Sequence, residues 1–191
     1  NIWRQVVFLL LYYAGLIGIL SNLSPFLVDI GYDIKEIGGI VGIFGVSFGI
    51  LYAFISGIYI RKIGKSLSRK IISFLIIVPA VYFIWLSSSG STDLIFILIG
   101  VALVWGIYGM SSTLINTSAM DIVRDGREGT DFTLQIVITH LGAMIITIVS
   151  ASIGDAFGYK GLFLMQLVIA LISFLYVLLF KPYSVKYETM N

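Results

Sequence analysis

Six side chains in otherwise apolar surroundings are able to do chemistry. His140 is the only histidine and lies mid-way along an apolar stretch. An imidazole titrates near neutrality, which suits proton coupling; the other reading is a neutral histidine hydrogen-bonded inside a helix bundle. At helical spacing it points with Thr133, Thr147 and Ala151, away from Leu141 and Ile145, so it is expected to face protein. Asn22, Asn116 and Gln135 carry amides in apolar stretches. A polar group in hydrocarbon costs free energy unless it finds a partner or water. Each amide is therefore either a contact for a polar solute or an interhelical hydrogen bond. Tyr12 and Trp105, with neighbours Tyr13 and Tyr108, can stack on a sugar or aromatic ring, or simply pack.

Other chemistry is poorly served. No Asp or Glu lies deep in an apolar stretch; Asp29 and Asp131 fall near the ends. If proton coupling operates, its carboxylate lies outside this chain. With one histidine and no cysteine, the sequence offers neither a metal site nor a nucleophile–base set, so no metal, cofactor or enzymatic activity is expected.

The elements that must position these residues are apolar helices. Mean hydropathy is +1.04 and only 12% of residues are charged, about half the share in a soluble domain. Six stretches stand out: residues 3–26, 37–60, 71–86, 94–117, 132–153 and 162–180. Most are long enough to cross about 30 Å of hydrocarbon. The third is short and would have to stand upright or thin the bilayer. The expected fold is an all-α integral membrane bundle of six spans.

Charge sorts across these spans. Arg4, Arg61, Lys62, Lys65, Arg69, Lys70, Arg124, Arg127, Lys181 and Lys186 fall on one side, and only Lys35 and Lys160 on the other. The positive-inside bias puts both termini, the basic loop 61–70, the charged loop 118–131 and the tail 181–191 in the cytoplasm. The net charge of +2 follows from this sorting, and no separate basic face suggests nucleic acid. No short apolar core precedes a small-residue cleavage site, so no cleavable signal is expected. A first residue of Asn and a lone six-span bundle suggest part of a larger protein, with a second six-helix half as partner.

The spans differ in kind. The second carries Gly38, Gly42, Gly45, Gly49, Ala53 and Ser56 at helical spacing; the fourth carries Ala102, Gly106, Gly109, Thr113 and Asn116. In the fifth, Gln135, Thr139, Gly142, Ala143 and Ser150 share a face. Such stripes let helix backbones approach closely, and packing alone would account for them. The third and sixth spans are apolar nearly all round, the sixth carrying only Gln166 and Ser173. Two sets of three spans, each with its third outermost, is the pattern of a 3+3 inverted repeat.

Two loops are sharper. Gly57-Ile58-Tyr59-Ile60-Arg61-Lys62-Ile63-Gly64-Lys65 combines a helix end at Gly57, a turn at Gly64 and cations that complement a helix C-terminus or hold acidic lipid heads. The segment from Met120 to Gln135 runs through Asp121, Arg124, Gly126, Gly129 and Asp131, with Thr130 or Asp131 as a helix cap. The first segment resembles the Gly-x-x-x-Asp-Arg-x-Gly-Arg-Arg loop of the major facilitator superfamily, departing from it at Arg61, where the family has an acid. The second is similar to a loop in the muropeptide permease and siderophore importer branch of that superfamily, the peptide–acetyl-coenzyme A transporters. The resemblance implies the second half, spans seven to twelve, of a twelve-helix secondary transporter in a bacterial inner membrane. It implies proton-driven uptake of a small polar solute, such as a muropeptide or siderophore, by alternating access. A non-transporting membrane scaffold is the other class that fits such a bundle.

Overall fold

The computed structural model describes residues 2–179. The tail 181–191 and the end of the sixth stretch at Phe180 lie outside the described residues. Among those residues there is no strand. Five helices are long and apolar enough to cross a membrane: α1 (Trp3–Asp29), α2 (Ile34–Ile63), α3 (Lys65–Ser89), α4 (Leu94–Met120) and α5 (Glu128–Leu179).

The number and lengths depart from the sequence expectation. The third stretch is not short: α3 begins at Lys65, directly after α2 ends at Ile63, so the supposed loop 61–70 is a single non-helical residue, Gly64 (φ +85°). Only glycine adopts that backbone region without strain. The charged loop shrinks similarly to residues 121–127. The fifth and sixth stretches are two arms of one helical element of 52 residues, broken at Gly158 (φ +71°, ψ 178°). A straight helix of that length would run roughly 78 Å. Instead the chain doubles back: the Gln166 amide meets Ser150 Oγ at 2.6 Å, though the two residues would lie roughly 24 Å apart on a straight helix.

Three further irregularities matter. α1 is interrupted at Tyr12–Tyr13, where the Leu16 amide bonds to Tyr13 O rather than one residue further back. After a first α-helical turn, Ile34–Ile37, α2 continues as a π-helical segment, Gly38–Gly45, a geometry rare outside functional or strained positions. α3 is interrupted at Ile76, three residues before Pro79. Proline has no N–H for the carbonyl four residues earlier, which loosens that turn.

The helices pair off. α1 packs mainly on both arms of α5, and α2 packs on α4. The α2–α4 pair is held by facing small residues: a Cβ built on Gly109 would lie 2.1 Å from Gly49 O and 3.2 Å from Ala53 N. The two stripes read from the sequence therefore meet each other. They do so only in part, because a Cβ on Gly38 or Gly42 meets nothing within 4 Å. In an aromatic cluster, Phe26 meets Phe83, Tyr159 and Phe163 edge to face, and Phe83 and Phe163 meet at a tilt, joining α1, α3 and the second arm of α5.

At that cluster the third and sixth stretches, expected to lie outermost, each turn one face inward. α3 buries Ile72, Ile76, Ala80, Phe83 and Leu86, and the second arm of α5 buries Leu162, Phe163, Gln166, Ala170 and Ser173. Both stretches also carry exposed apolar residues, Phe74, Val81 and Trp85 on α3 and Leu164, Val168 and Leu175 on the second arm, as do α2 (Ile43, Phe54, Ile58) and the first arm of α5 (Leu134, Met144, Ile148). Uniform hydrophobicity says nothing about which face a helix buries, because lipid and protein interior are alike apolar.

Candidate functional site

The first arm of α5 turns Thr139, Gly142 and Ser150 into the bundle, with Gln135 half-buried on the same side. This is the face its polar stripe predicted. His140 does not join it. Its side chain is exposed, and Nδ1 engages Ile136 O one turn back at 2.8 Å. The expectation that it faces protein fails because the buried face is centred one residue away, on Thr139. That rotation leaves His140 among the exposed Val137, Leu141 and Met144.

The amides are mostly spoken for. Asn22 is buried and donates to Gly18 O of its own helix at 2.8 Å. Gln135 donates to Ala119 O at the end of α4 (3.0 Å) and accepts from Gln5 of α1 (3.2 Å). It ties three helices together, the packing alternative for that residue. Asn116 is half-buried and makes no hydrogen bond among the described residues. Tyr12 is buried, and its hydroxyl donates to Arg69 O at 3.2 Å. Trp105, Tyr108 and Tyr13 form an edge-to-face ladder from α4 to α1, with centroids 5.9 Å apart at both steps. The Trp105 indole lies over Gly45 and Gly49, where a Cβ would come within 2.5 and 3.2 Å of the ring. Its Nε1–H is buried without a partner.

A polar cluster that sequence reasoning missed sits where α1 breaks. Gln166, fully buried, turns its amide nitrogen to Ala14 O and Gly15 O at 3.1 Å and meets Ser150 on its other side. Ser173 donates to Tyr12 O at 3.0 Å, the carbonyl freed by the interruption. Gly15 and Gly18 make room: a Cβ on Gly18 would overlap the Gln166 amide. The signal was present in the sequence, as two polar residues seven apart on an otherwise apolar stretch. That spacing puts them on one face of a helix.

The two loop segments are brought together. Lys65 Nζ lies 2.5 Å from Asp121 Oδ2 and donates to Thr117 O at 3.2 Å, joining the α2–α3 turn to the end of α4. Arg61 and Lys62 occupy the last turn of α2, where cations complement the helix dipole. Gly57 is not a helix end; it lies inside α2, and Gly64 ends the helix. In the second segment Arg124 grips Asp131 with two side-chain bonds of 2.8 Å and a backbone bond of 3.0 Å. The Asp131 carboxylate holds the Arg124 guanidinium above its ordinary range by hydrogen bonding to the charged form. Neither Thr130 nor Asp131 caps the helix as expected, because α5 starts earlier, at Glu128, whose carboxylate accepts from Gly126 N at 2.9 Å. Gly129 is within the first helical turn, and Gly126 (φ +77°) makes the turn instead.

These residues do not converge on one cavity. A cleft of 640 Å³ lies between α2 and α4 at their basic ends. A smaller apolar one of 200 Å³ lies on the same pair, lined by Tyr52, Ile99 and Gly106 among others. None of Tyr12, Asn22, Trp105, Asn116, Gln135 and His140 lines either. Among the described residues no three His, Asp or Glu side chains are grouped to hold a metal ion.

No protein-family profile matches the chain. Individual proteins do. The chain is 30% identical over 181 residues to "Putative transporter AmpG 1" of Rickettsia prowazekii (strain Madrid E), covering 92% of this chain and 40% of that protein. It is 28% identical over 181 residues to the protein of the same name in Rickettsia conorii (strain ATCC VR-613 / Malish 7), covering 92% of this chain and 42% of that protein. The chain thus spans about two fifths of the length of these curated relatives. They bear out the resemblance drawn from the two loop segments in that, over nearly its whole length, this multi-pass membrane chain is similar to part of proteins named as transporters.

Proposed function

We propose that this chain is the second six-span half of a secondary active transporter in a bacterial inner membrane. It takes up a small polar solute, of the muropeptide or siderophore kind, by proton-coupled alternating access. The observation that carries this reading is the match along 92% of the chain to relatives named as transporters. In this reading the two arms of α5 serve as separate fifth and sixth spans, the helices form a 3+3 inverted repeat, and both termini are cytoplasmic. The pathway runs between this bundle and the remaining length of the protein. Of the pathway candidates, His140 is exposed and Asn116 half-buried, neither commits a polar atom to another helix, and both are available to a solute or to a proton.

The test is uptake by the full-length protein in right-side-out and inverted vesicles. The panel holds a muropeptide, an iron–siderophore and acetyl-coenzyme A, each with and without a proton gradient. Gradient-dependent accumulation of one compound is expected, and reduced accumulation in His140→Ala and Asn116→Ala at unchanged membrane levels. Wild-type uptake by both variants would remove these residues from the pathway. The scaffold reading draws support from the bundle's centre, where Tyr12, Asn22, Gln135 and Gln166 are all engaged in internal hydrogen bonds. Folded protein that accumulates nothing across a broad panel would favour it.

A further inference from the structure

The 640 Å³ cleft between α2 and α4 has an ordered chemistry from one end to the other. It is lined by Ala53, Phe54, Gly57 and Ile58 along α2, with Arg61 and Lys65 at its basic end. Phe54 and Ile58 are 73% and 61% exposed, so the cleft is open at the surface of this chain. Lys65 is committed to Asp121 and Thr117. Arg61 is exposed and makes no ion pair or hydrogen bond among the described residues. Gly57 keeps the cleft open: it lies inside α2, yet a Cβ there would meet nothing within 4 Å.

We propose that this cleft binds an anionic phospholipid of the surrounding bilayer, with its phosphate on Arg61 and an acyl chain laid along Ala53, Gly57 and the flanks of Phe54 and Ile58. The proposal rests on the chain lying in a membrane and not on what it transports. From Ala53 to Arg61 is two helical turns, roughly 12 Å, within the depth of one leaflet of a core about 30 Å thick. A cation at the water boundary followed by an apolar trough repeats the order of headgroup and chain in a lipid. Basic pockets between spans are suited to anionic headgroups. A free anion would need several converging donors, and only Arg61 is uncommitted here. Lys62, Arg69 and Lys70 add positive charge at the same end of the bundle.

The test is native mass spectrometry of the full native chain in detergent. It is loaded with phosphatidylglycerol or with phosphatidylcholine of the same acyl chains, and inorganic phosphate is added as competitor. Phosphatidylglycerol should be retained about fivefold over phosphatidylcholine, as expected for one headgroup charge beside one arginine. Arg61→Gln should erase that preference, while Lys62→Gln, a neighbouring cation that does not line the cleft, should keep it. Gly57→Leu should abolish retention of both lipids; a Cβ at this position meets nothing within 4 Å, and an unchanged unfolding midpoint of the variant checks that the bundle itself is retained. Equal retention of the two lipids, or wild-type retention by Gly57→Leu, would overturn the proposal. Displacement of phosphatidylglycerol by phosphate would assign the site to a soluble anion instead. Exclusion of added lipid by the full native chain would assign the cleft to another segment of the protein.

Discussion

Replacing Gly109 with alanine should pry apart the α2–α4 pair. The new methyl carbon would sit 2.1 Å from Gly49 O, 3.0 Å from Gly49 C and 3.2 Å from Ala53 N. All three are backbone atoms of α2, so no rotamer change relieves the clash. Carbon contacts are comfortable only from about 3.5 Å, so α2 must withdraw by more than roughly 1 Å. Overpacking of this kind costs typically 1–3 kcal/mol. Withdrawal also stretches two long bonds across the same interface, Thr113 Oγ1 to Ala53 O and Ser56 Oγ to Met110 O, each 3.4 Å. Interhelical bonds in membranes contribute about 0.6 kcal/mol on average, and these are at the weak end. A loss of about 2 kcal/mol corresponds to roughly a thirtyfold shift in the folded-to-unfolded ratio. It is read from thermal or SDS-induced unfolding of the protein in mild detergent. Gly42→Ala is the paired control: its Cβ meets open space, and alanine is the better helix former by about 1 kcal/mol. That variant should be at least as stable as the wild type. If Gly109→Ala unfolds with the wild type, the close approach of α2 and α4 is not what holds them. If both substitutions destabilise equally, the effect belongs to the glycines themselves and not to the contact.

Two further substitutions follow from the same structure. Gln166→Leu keeps the volume but removes the donor shared by Ala14 O and Gly15 O, so it should cost about 1 kcal/mol in the same unfolding assay; an unchanged midpoint would mean the clasp at the α1 break is energetically idle. A double-mutant cycle on Lys65→Met and Asp121→Asn should give a coupling of about 0.2–1 kcal/mol, since both side chains are partly exposed; additive single effects would mean that the pair does not join the two loop segments.

Much of the architecture was legible because it rests on quantities that one chain carries alone. Apolar runs long enough to span a membrane, cations gathered at one set of helix ends, and glycines at helical spacing are all local in sequence. The polar face of the first arm of α5, Gln135 through Ser150, was read correctly for the same reason: helical periodicity needs no partner. Reading failed where a neighbour decides. His140 and Thr139 are adjacent, and only the packing of α1 against α5 determines which of them turns inward. Gln166 and Ser173 counted as minor blemishes on a greasy stretch until the break in α1 supplied carbonyls for them to meet.

Boundaries erred for a related reason. Hydropathy marks where a helix is apolar and not where hydrogen bonding ends, so the charged turns at Arg61–Lys70 and Glu128–Asp131 read as loops although the backbone there is helical at every residue but Gly64. The sequence by itself determined that this is an apolar helical bundle, which of its ends are basic, and which transporters it resembles. Only the tertiary structure decided which face of each helix is interior, that Lys65 reaches Asp121 across 56 positions, and that the pathway candidates line neither cleft. In a membrane every helix is apolar on the outside as well as the inside, so hydrophobicity cannot choose between faces. The choice falls to close backbone contacts and a few buried hydrogen bonds, which exist only once two helices have met.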